Sequence, residues 1–222
     1  MMNLALFDLD NTLIPFDSDH GWGSFLANLG VVDKAEYERR NDAFYADYKA
    51  GCLDMNAYLE FQLGALTRFP RAQLNAWHAE FMRSQVLPNL RPTALELVQA
   101  HQAAGDLCCV VTATNRFVTG PIVAAFGITH LIATEPEQVN GQFTGKVQGI
   151  PSFREGKITR VQDWLSALGY QWDSFARSTF YSDSMNDLPL LEKVSDPVAT
   201  NPDAKLQAVA QTRGWRILNL FA

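Results

Sequence analysis

The sequence predicts an α/β protein with a doubly wound parallel sheet and an inserted α-helical segment. Three observations support this prediction. An early apolar run ends in two aspartates, a long stretch after it shows helical periodicity without a convincing strand, and the second half alternates short apolar runs with amphipathic segments. Strands that alternate with helices favour right-handed crossovers, which give a parallel sheet with helices on both faces.

The first predicted strand is Leu4–Phe7, within the string LALFDLDNTL. A short and uniformly apolar run suits a central strand that is buried on both faces. Asp8 and Asp10 follow this strand directly, although carboxylates are unfavourable in a hydrophobic core. Because ligands bind at the carboxyl ends of strands in open α/β sheets, the two acids indicate a bound cation and a carboxylate that takes part in chemistry.

Residues 16–87 are predicted to form a helical cap domain, inserted into an α/β core domain made of residues 1–15 and 88–222. Pro15 ends the pattern of the first strand, and the residues after it have apolar side chains at helical spacing. Residues 88–92 are rich in proline and look like the return to the core. The cap helices are expected to begin at aspartates and end at glycines, namely Asp33, Asp54, Gly30 and Gly51.

The second half supplies the remaining strands and helices of the predicted core. A hairpin is expected over 139–147, with the primed-type turn that an Asn140-Gly141 pair favours. The other predicted strands cover 107–111, 130–133, 178–181, 198–199 and 215–218. The predicted helices cover 93–104, 117–126, 155–168, 186–191 and 204–211.

Composition and charge exclude several classes of protein. The 222 residues carry a net charge of −6 and show no basic stripe, so we expect no nucleic-acid partner. Cys52, Cys108 and Cys109 lack the spacing of a disulfide framework, and the adjacent pair is expected to be buried. We find neither a signal peptide nor an apolar stretch of about 20 residues. The expectation is a cytoplasmic protein without a membrane partner, and its oligomeric state stays open.

Polar residues follow several of the predicted strands or begin the next helix. A doubly wound sheet brings such residues to one edge, where a ligand binds. They are Asp8 and Asp10 after the first strand, Thr112 and Ala113 after the second, Lys157 at the start of a helix, and Asp183, Asn186 and Asp187 in the string YSDSMNDLPLL.

Together these residues suit the hydrolysis of a phosphomonoester. The Asp8 carboxylate can attack phosphorus and form an aspartyl-phosphate, which divides the hydrolysis into two steps. A cation held by Asp8 and Asp183 would offset the repulsion between the carboxylate and the phosphate, and Mg²⁺ prefers such oxygen ligands. Lys157 adds a positive charge, and the hydroxyl of Thr112 with the backbone N–H groups after it can bind phosphate oxygens. Asp10 can protonate the leaving alkoxide and then activate water.

The combination resembles the haloacid dehalogenase-like (HAD) hydrolase superfamily, specifically its phosphoserine-phosphatase-like branch. The motifs DxDxT, the hydroxyl, the lysine and DxxND occur in the family's order over essentially the whole chain, with threonine replacing the usual serine of the second motif. The resemblance implies a Rossmann-like core, Asp8 as nucleophile and Asp10 as general acid and base. It implies Mg²⁺ bound by Asp8, the Asp10 carbonyl and Asp183, with Asp187 acting through water. The implied phosphate- and substrate-binding residues are Thr112, Ala113, Lys157 and Asn186.

Substrate selectivity is expected in the cap, where the string PFDSDHGWG follows the catalytic loop. Asp17, Asp19, His20 and Trp22 can face the site, and acids with an aromatic ring favour a cationic substrate group. The other interpretation is that Asp17 or Asp19 caps the first cap helix while Trp22 packs within the bundle. Asp17 is therefore a candidate substrate-binding residue, and both interpretations stay open.

The strings SDHGW, VVTATNRFVTGPI and FYSDSMNDLPLLE are similar to the bacterial members of this branch that hydrolyse histidinol phosphate. That substrate has an ammonium and an imidazole but no carboxylate. Phosphoserine is the alternative, and its carboxylate calls for a cap arginine, yet the corresponding segment DMNAYLEFQLGAL has none before Arg68. We therefore expect a small amino-alcohol or amino-acid phosphate as the partner, foremost L-histidinol phosphate. A haloacid dehalogenase, which needs no acid at Asp10, and a phospho-accepting module, which needs no cap, are remoter alternatives.

Overall fold

The computed structural model describes residues 2–221 and is built around a sheet of seven strands. The strand order is β4-β3-β2-β1-β5-β6-β7, where the numbers follow the chain. The strands are β1 (Leu4–Phe7), β2 (Leu107–Asn115), β3 (His130–Val139), β4 (Gln142–Gln148), β5 (Ser178–Ser182), β6 (Asp196–Thr200) and β7 (Arg216–Leu218). Every neighbouring pair is parallel except β3 and β4. The predicted α/β class with a doubly wound sheet is confirmed, and an antiparallel strand closes one edge.

The helices divide into a group before β2 and a group between the later strands. A π-helical turn at Met82–Val86 and a 3₁₀ turn at Leu87–Asn89 lead from the first group back towards the sheet. The helices are α1 (Ser18–Asn28), α2 (Lys34–Ala50), α3 (Met55–Leu66), α4 (Arg71–Phe81), α5 (Pro92–Ala103), α6 (Arg116–Ala125), α7 (Glu155–Ala167), α8 (Leu188–Lys193) and α9 (Ala204–Arg213).

The central strand β1 separates two apolar layers, because successive side chains of a strand point to opposite faces. Ala5 and Phe7 belong to one buried cluster, which includes residues of α5, α6 and the cap helices. Leu4 and Leu6 belong to the other cluster, which includes residues of α7, α8 and α9. All four side chains are completely buried, as expected for a central strand. The prediction from the uniformly apolar run LALF is thus confirmed.

Helices α1 to α4 occupy the segment between β1 and α5. Over residues 8–91, all of which the structure describes, the sole strand-like feature is an isolated bridge between Asp10 and Ile14. The two predicted N-caps are confirmed: the Asp33 side chain accepts a hydrogen bond from the Glu36 N–H, and Asp54 caps α3 in the same way. Helix α3 lies against β4, so this group of helices covers one edge of the sheet. The division into core and cap domains stays a prediction.

The hairpin is longer than the sequence indicates. Strand β3 runs without interruption from His130 to Val139, whereas separate elements were expected over 130–133 and 139–147. Its second half contains the polar string TEPEQ, which resembles a loop, and Pro136 lies beyond the part of β3 that pairs with β2. The predicted turn is confirmed, since Asn140 and Gly141 have φ angles of +51° and +77°.

Two further differences affect the candidate site. Strand β2 continues to Asn115 instead of ending at residue 111, so Thr112 lies within the strand. The helix expected over 186–191 begins at Leu188, after a 3₁₀ turn over Met185–Asp187. The strings VVTATN and SDSMND contain polar residues whose side chains lie at the edge of the sheet and not in the core. Apolar periodicity therefore does not predict where these two elements end or begin.

The cysteines are free thiols. Cys108 and Cys109 are buried in β2, which confirms the expectation for the adjacent pair, and burial raises the pKa of Cys108 to about 11. Cys52 is exposed in the loop after α2. Within residues 2–221, no helix has both the length and the apolar character needed to cross a bilayer.

Candidate active site

The sheet order explains why distant polar residues meet at one edge. Strand β1 lies between β2 and β5, and the N–H of Asp8 donates to the Tyr181 carbonyl of β5 at 2.9 Å. The residues after β1 and β5 and at the end of β2 are therefore neighbours. Thr12 and Lys157 join Asp8, Asp183 and Asp187 in one group of hydrogen bonds and ion pairs. Asp10 and Thr112 form a second group at the same edge, so the residues meet as the sequence predicts.

Lys157 is the buried cation of the site. Its side chain is 2% exposed, and Nζ lies 2.8 Å from Asp8 Oδ1 and 2.7 Å from the Asp187 carboxylate. Burial alone would lower the pKa of Lys157, but the negative charges of Asp187 and Asp8 outweigh it and raise that pKa. The ammonium is therefore charged, and it holds Asp8 in a fixed orientation. Asp187 is held in addition by the Ser182 hydroxyl at 2.7 Å.

The start of α7 is tightly folded against the preceding loop, and this places Lys157. A Cβ atom at Gly156 would lie 2.3 Å from the Pro151 carbonyl oxygen, so the close approach of these two segments requires glycine. Arg154, directly before α7, has φ +48° and ψ −123°, which is unfavourable for a residue with a side chain. The backbone around the lysine is thus determined by contacts and not by local preference.

Thr12 joins the first and the last motif, a role that the sequence analysis did not assign. Its hydroxyl is 3.3 Å from Asp8 Oδ2 and 3.3 Å from Asp183 Oδ1, and it accepts the Asp183 N–H at 3.1 Å. Thr12 is completely buried. Thr12 is the threonine of the DxDxT string, but its partner Asp183 lies 171 residues away in the chain.

The carboxylates at this edge outnumber the cations. Burial, followed by the charges of Asp8 and Asp187, raises the pKa of Asp183 well above its ordinary value. Burial, followed by the charges of Asp187 and Asp10, raises the pKa of Asp8 to about 7, although Lys157 opposes this effect. Three carboxylates face one ammonium, so a divalent cation would balance the charge.

The oxygen atoms present fit a hard cation such as Mg²⁺. No three His, Cys, Asp or Glu side chains within residues 2–221 form a complete metal site by themselves. Mg²⁺ commonly takes one or two carboxylates and completes its shell with water and other oxygens, so Asp8 and Asp183, joined through Thr12, are a sufficient protein contribution. Asp187 is engaged by Lys157 and Ser182, which suits a contact through water better than direct ligation.

Asp10 is set up for proton transfer. Its Oδ1 accepts the Ser18 N–H at 2.7 Å, and its Oδ2 accepts the Thr114 hydroxyl at 2.9 Å. Burial and the neighbouring charge of Asp17 raise the pKa of Asp10 to about 7. A carboxyl with such a pKa can both give and take a proton near neutral pH. Thr114 was not predicted; it lies two positions after Thr112 and thus on the same side of β2.

Of the predicted phosphate-binding residues, some line the cavity between the core and the cap and others do not. Thr112 and Ala113 line the cavity described below, and the Thr112 hydroxyl accepts the Thr114 N–H at 3.2 Å. Asn186 does not line that cavity. Its amide instead donates to the Tyr48 carbonyl at the end of α2, at 3.1 Å, and its Oδ1 accepts from Arg154.

A cavity lies between the sheet edge and the cap helices. The core side is formed by Asp8, Asp10 and the Thr112–Thr114 segment. The cap side is mostly aromatic and contains Asp17, His20, Asn41, Phe44, Tyr45, Tyr48, Leu53, Met55 and Tyr58. In the part of the chain that the structure describes, no lysine or arginine is among these lining residues.

The string PFDSDHGWG partly fits each of the two interpretations, in which its residues either face the site or cap and pack α1. Asp17 caps α1, where Oδ1 accepts the N–H groups of Asp19 and His20 at 3.0 and 2.8 Å, and it also lines the cavity. His20 lines the cavity and contacts Asp42 at 2.7 Å. The hypothesis that Trp22 faces the site is wrong: the ring is buried in the apolar interior, with Phe25, His78, Phe81 and Phe117 as neighbours.

Asp19 is a buried carboxyl that connects the cap with the core. Its Oδ1 accepts the Asn115 amide at 3.1 Å, and its Oδ2 accepts a short hydrogen bond from the Tyr58 hydroxyl. The residues belong to α1, to the end of β2 and to α3, respectively. Burial, followed by the charges of Asp17 and Asp10, raises the pKa of Asp19 to about 8, while the Tyr58 hydrogen bond opposes that increase.

Comparison with known proteins agrees with this geometry. Residues 5–192 match the model of a family described as haloacid dehalogenase-like hydrolase. The histidinol-phosphatase of Neisseria meningitidis serogroup C (strain 8013) is 49% identical over 220 residues, 99% of either chain. The crystal structure of a protein with unknown function from Bordetella pertussis Tohama I is 52% identical over 100% of both chains, with a TM-score of 0.95. A substrate-bound phosphoserine phosphatase, 16% identical, has a TM-score of 0.72 over 98% of this chain and 93% of its own, which confirms the fold.

The raised pKa of Asp19 predicts a pH-dependent stability. Between the unfolded value near 3.8 and the folded value of about 8, the folded protein holds a proton that the unfolded chain has lost. The free energy of unfolding therefore decreases as the pH rises through this window. In the variant Asp19→Asn this loss is absent, so we expect it to gain stability relative to wild type between pH 5 and pH 8.5. Urea unfolding across that range, with the exposed N-cap variant Asp33→Asn as control, measures the difference; a constant difference at all pH values would contradict the assignment.

Proposed function

We propose, since the chain belongs to the haloacid dehalogenase-like hydrolases, that it is a Mg²⁺-dependent phosphatase that hydrolyses L-histidinol phosphate through an aspartyl-phosphate intermediate. One observation carries this proposal. A single cavity joins Asp8 and Asp10 to a cap surface that has an acid and several aromatic rings but no lysine or arginine within the described residues. The prediction of a phosphatase is itself confirmed, by the family match together with the 49%-identical histidinol-phosphatase.

The first step forms the covalent intermediate. The Asp8 carboxylate attacks phosphorus, and the bond from phosphorus to the ester oxygen breaks. Asp10 gives its proton to the departing alkoxide, which leaves as the neutral alcohol. The hydrogen bonds from Ser18 and Thr114 hold the Asp10 carboxyl at the boundary between the core and the cap, where the leaving group must lie.

The second step hydrolyses the intermediate. Asp10, now a carboxylate, takes a proton from a water molecule that attacks phosphorus, and Asp8 is released with inorganic phosphate. Lys157 stays bound beside Asp8 and offsets negative charge on the phosphoryl oxygens, and the Thr112 hydroxyl and the N–H groups after it can bind those oxygens. Mg²⁺, held by Asp8, the Asp10 carbonyl and Asp183, with Asp187 through water, would supply further neutralisation of the phosphate charge.

The cap side of the cavity suits an ammonium and an imidazole. Asp17 uses Oδ1 for both of its cap hydrogen bonds, so Oδ2 remains available to a substrate ammonium. A charge-assisted hydrogen bond of this kind is stronger than a neutral one. The rings of Phe44, Tyr45, Tyr48 and Tyr58 provide flat apolar surface for the imidazole.

Phosphoserine, the alternative, fits this surface less well because its carboxylate needs a positive partner. Arg68, the first arginine after the string DMNAYLEFQLGAL, is exposed and does not line the cavity. The acid at Asp10 argues against a haloacid dehalogenase, and the cap helices beside the cavity argue against a non-enzymatic phospho-accepting module. The absence of nucleic-acid and membrane partners and the cytoplasmic location stay predictions.

A panel of substrates tests the proposal directly. We expect L-histidinol phosphate to be hydrolysed with a kcat/KM well above those for phosphoserine, a sugar phosphate and an aryl phosphate, because only it matches both the acid and the aromatic rings. Phosphate release is measured with Mg²⁺ and with a chelator, and chelation should abolish turnover. Faster hydrolysis of phosphoserine than of histidinol phosphate would refute the substrate assignment, and undiminished turnover with chelator would refute the role of Mg²⁺.

Two isosteric variants separate the roles of the first two aspartates. Asp8→Asn should abolish turnover, because an amide does not attack phosphorus. Asp10→Asn should lower kcat by roughly 10²–10⁴-fold, the usual contribution of general acid and base catalysis, while phosphate binding persists. Phosphate release and binding of inorganic phosphate by calorimetry provide the two measurements, and Asp33→Asn controls for loss of one charge. Wild-type turnover by either site variant would remove the role assigned to it.

Asp17→Asn tests the ammonium contact. Asparagine is as good an N-cap as aspartate, so α1 should stay intact. Loss of a charge-assisted hydrogen bond corresponds to roughly a ten- to hundredfold lower kcat/KM for histidinol phosphate. The kcat/KM for an aryl phosphate, which has no ammonium, should stay near the wild-type value. Asp33→Asn removes the same charge from another N-cap and should change kcat/KM for neither substrate. If Asp17→Asn lowered kcat/KM equally for both substrates, Asp17 would not select the ammonium.

A further inference from the structure

The last turn of α2 is attached to the core by three separate segments. Carbonyl groups at this end of a helix lack full intrahelical pairing and lie at the negative end of the helix dipole, although the Tyr48 carbonyl also accepts the Gly51 N–H at 3.1 Å. Core groups that donate to them are positively charged or polar. The contacts are Asn186 Nδ2 to the Tyr48 carbonyl at 3.1 Å, Lys205 Nζ to the Ala50 carbonyl at 3.1 Å, and Arg154 Nη2 to the Gly51 carbonyl at 2.5 Å.

Arg154 is central among these contacts. Besides the Gly51 carbonyl, its guanidinium binds Asn186 Oδ1 through Nε at 3.4 Å and through Nη2 at 3.2 Å, and its cationic group lies 5.0 Å from the centre of the Phe153 ring. One side chain thereby joins the loop before α7, the turn after β5 and the end of α2. Its guanidinium has the planar, multidentate geometry that such a junction requires, which a lysine lacks.

The backbone of Arg154 is strained. The pair φ +48° and ψ −123° is a conformation that glycine adopts readily and other residues rarely do. Such a conformation persists where surrounding contacts determine it. In this chain the determining contacts include the Gly51 carbonyl, which belongs to the cap segment and not to the core.

The strained residue lies next to the catalytic machinery. Arg154 precedes Lys157 by three residues at the start of α7, and its partner Asn186 directly precedes Asp187. Lys157 in turn lies between Asp8 and Asp187. A shift of the Arg154 backbone therefore moves the helix turn that places the lysine ammonium.

The same end of α2 closes the cavity. Tyr45 and Tyr48 of α2 line it, and so do Leu53, Met55 and Tyr58 of the segment that follows. The cavity lies between these residues and the sheet edge, so movement of the end of α2 away from the core would widen it for a phosphate ester. The contacts of Arg154 and Asn186 with α2 must then break, and they form again on closure.

We propose that Arg154 is a positioning residue that couples closure of the cap to the placement of Lys157. When α2 rests on the core, the Gly51 carbonyl and the Asn186 amide hold the Arg154 side chain, and the strained backbone places Lys157 against Asp8 and Asp187. When α2 leaves, Arg154 loses its cap acceptor and the start of α7 can relax. The lysine is thus placed for phosphoryl transfer in the closed state. This role concerns the phosphatase chemistry and does not depend on which alcohol is released.

Arg154→Gln and Arg154→Gly test the proposal together. Both remove the guanidinium, but glycine adopts the φ and ψ of residue 154 without strain. We expect both to lower kcat by roughly ten- to a hundredfold, the loss of a charge-assisted hydrogen bond, for the best substrate of the panel and for an aryl phosphate alike. Arg177→Gln, an exposed core arginine that pairs with Asp196, is the matched control and should keep wild-type kcat. Wild-type kcat in Arg154→Gly would show that the side chain has no positioning role.

Hydrogen exchange supplies a readout that does not depend on turnover. In the wild type, inorganic phosphate with Mg²⁺ should slow exchange of the amides in residues 48–58 and at the start of α7, because closure orders both segments. In Arg154→Gln and Arg154→Gly the protection of the two segments should be reduced, while the urea midpoint stays near that of wild type. Protection in both variants equal to that of wild type would overturn the proposal. If the wild type hydrolysed no member of the panel, the proposed function would fail, yet this exchange experiment would still decide the role of Arg154.

Discussion

The charged Lys157 buried at the sheet edge is the interaction on which the rest of the site depends. A buried ammonium is strongly unfavourable unless charged partners and hydrogen bonds compensate it, and Asp8 and Asp187 supply both at 2.8 and 2.7 Å. These three residues come from the end of β1, the start of α7 and the turn after β5. The order β2-β1-β5, with α7 packed on one face, is the arrangement that lets them meet. The same ion pairs therefore join three elements of the fold and hold the Asp8 carboxylate in place.

The lysine does not neutralise the whole site, and this excess of negative charge shapes the chemistry. Asp183 repels Asp8, and Thr12 lies between them with one hydroxyl close to both carboxylates. A hydroxyl can reduce this repulsion only in part, because it donates a single proton. A divalent cation would remove the rest and would also attract a phosphate dianion to an edge that otherwise repels it. Under the proposed function, the carboxylates that repel one another at this edge would thus favour a phosphate ester that binds together with a metal ion.

Sequence patterns correctly predicted the elements that depend on interactions between residues close together in the chain. The apolar run of β1, the N-caps Asp33 and Asp54 and the Asn140-Gly141 turn are all found where short-range chemistry indicates them. The second half of β3 was missed because its polar residues need no apolar periodicity at the sheet edge. Thr12 was missed for another reason: its role depends on a partner 171 residues away. The contacts of Asp19 with Asn115 and of Arg154 with the Gly51 carbonyl belong to the same class, since each joins the segment before β2 to a distant part of the chain.

The start of α1 connects substrate choice with acid catalysis. Asp17 lines the cavity, and its neighbour Ser18 donates to the Asp10 carboxylate at 2.7 Å. The charge of Asp17 is, after burial, the strongest influence that raises the pKa of Asp10. Under the proposed function, a substrate ammonium bound at Asp17 cancels that charge and lowers the pKa of Asp10. Asp10 then becomes a stronger acid at the moment when the leaving alkoxide needs a proton. Recognition of the substrate and proton transfer to its leaving group are therefore linked through Asp17, whereas the phenolate of an aryl phosphate departs with little help from an acid.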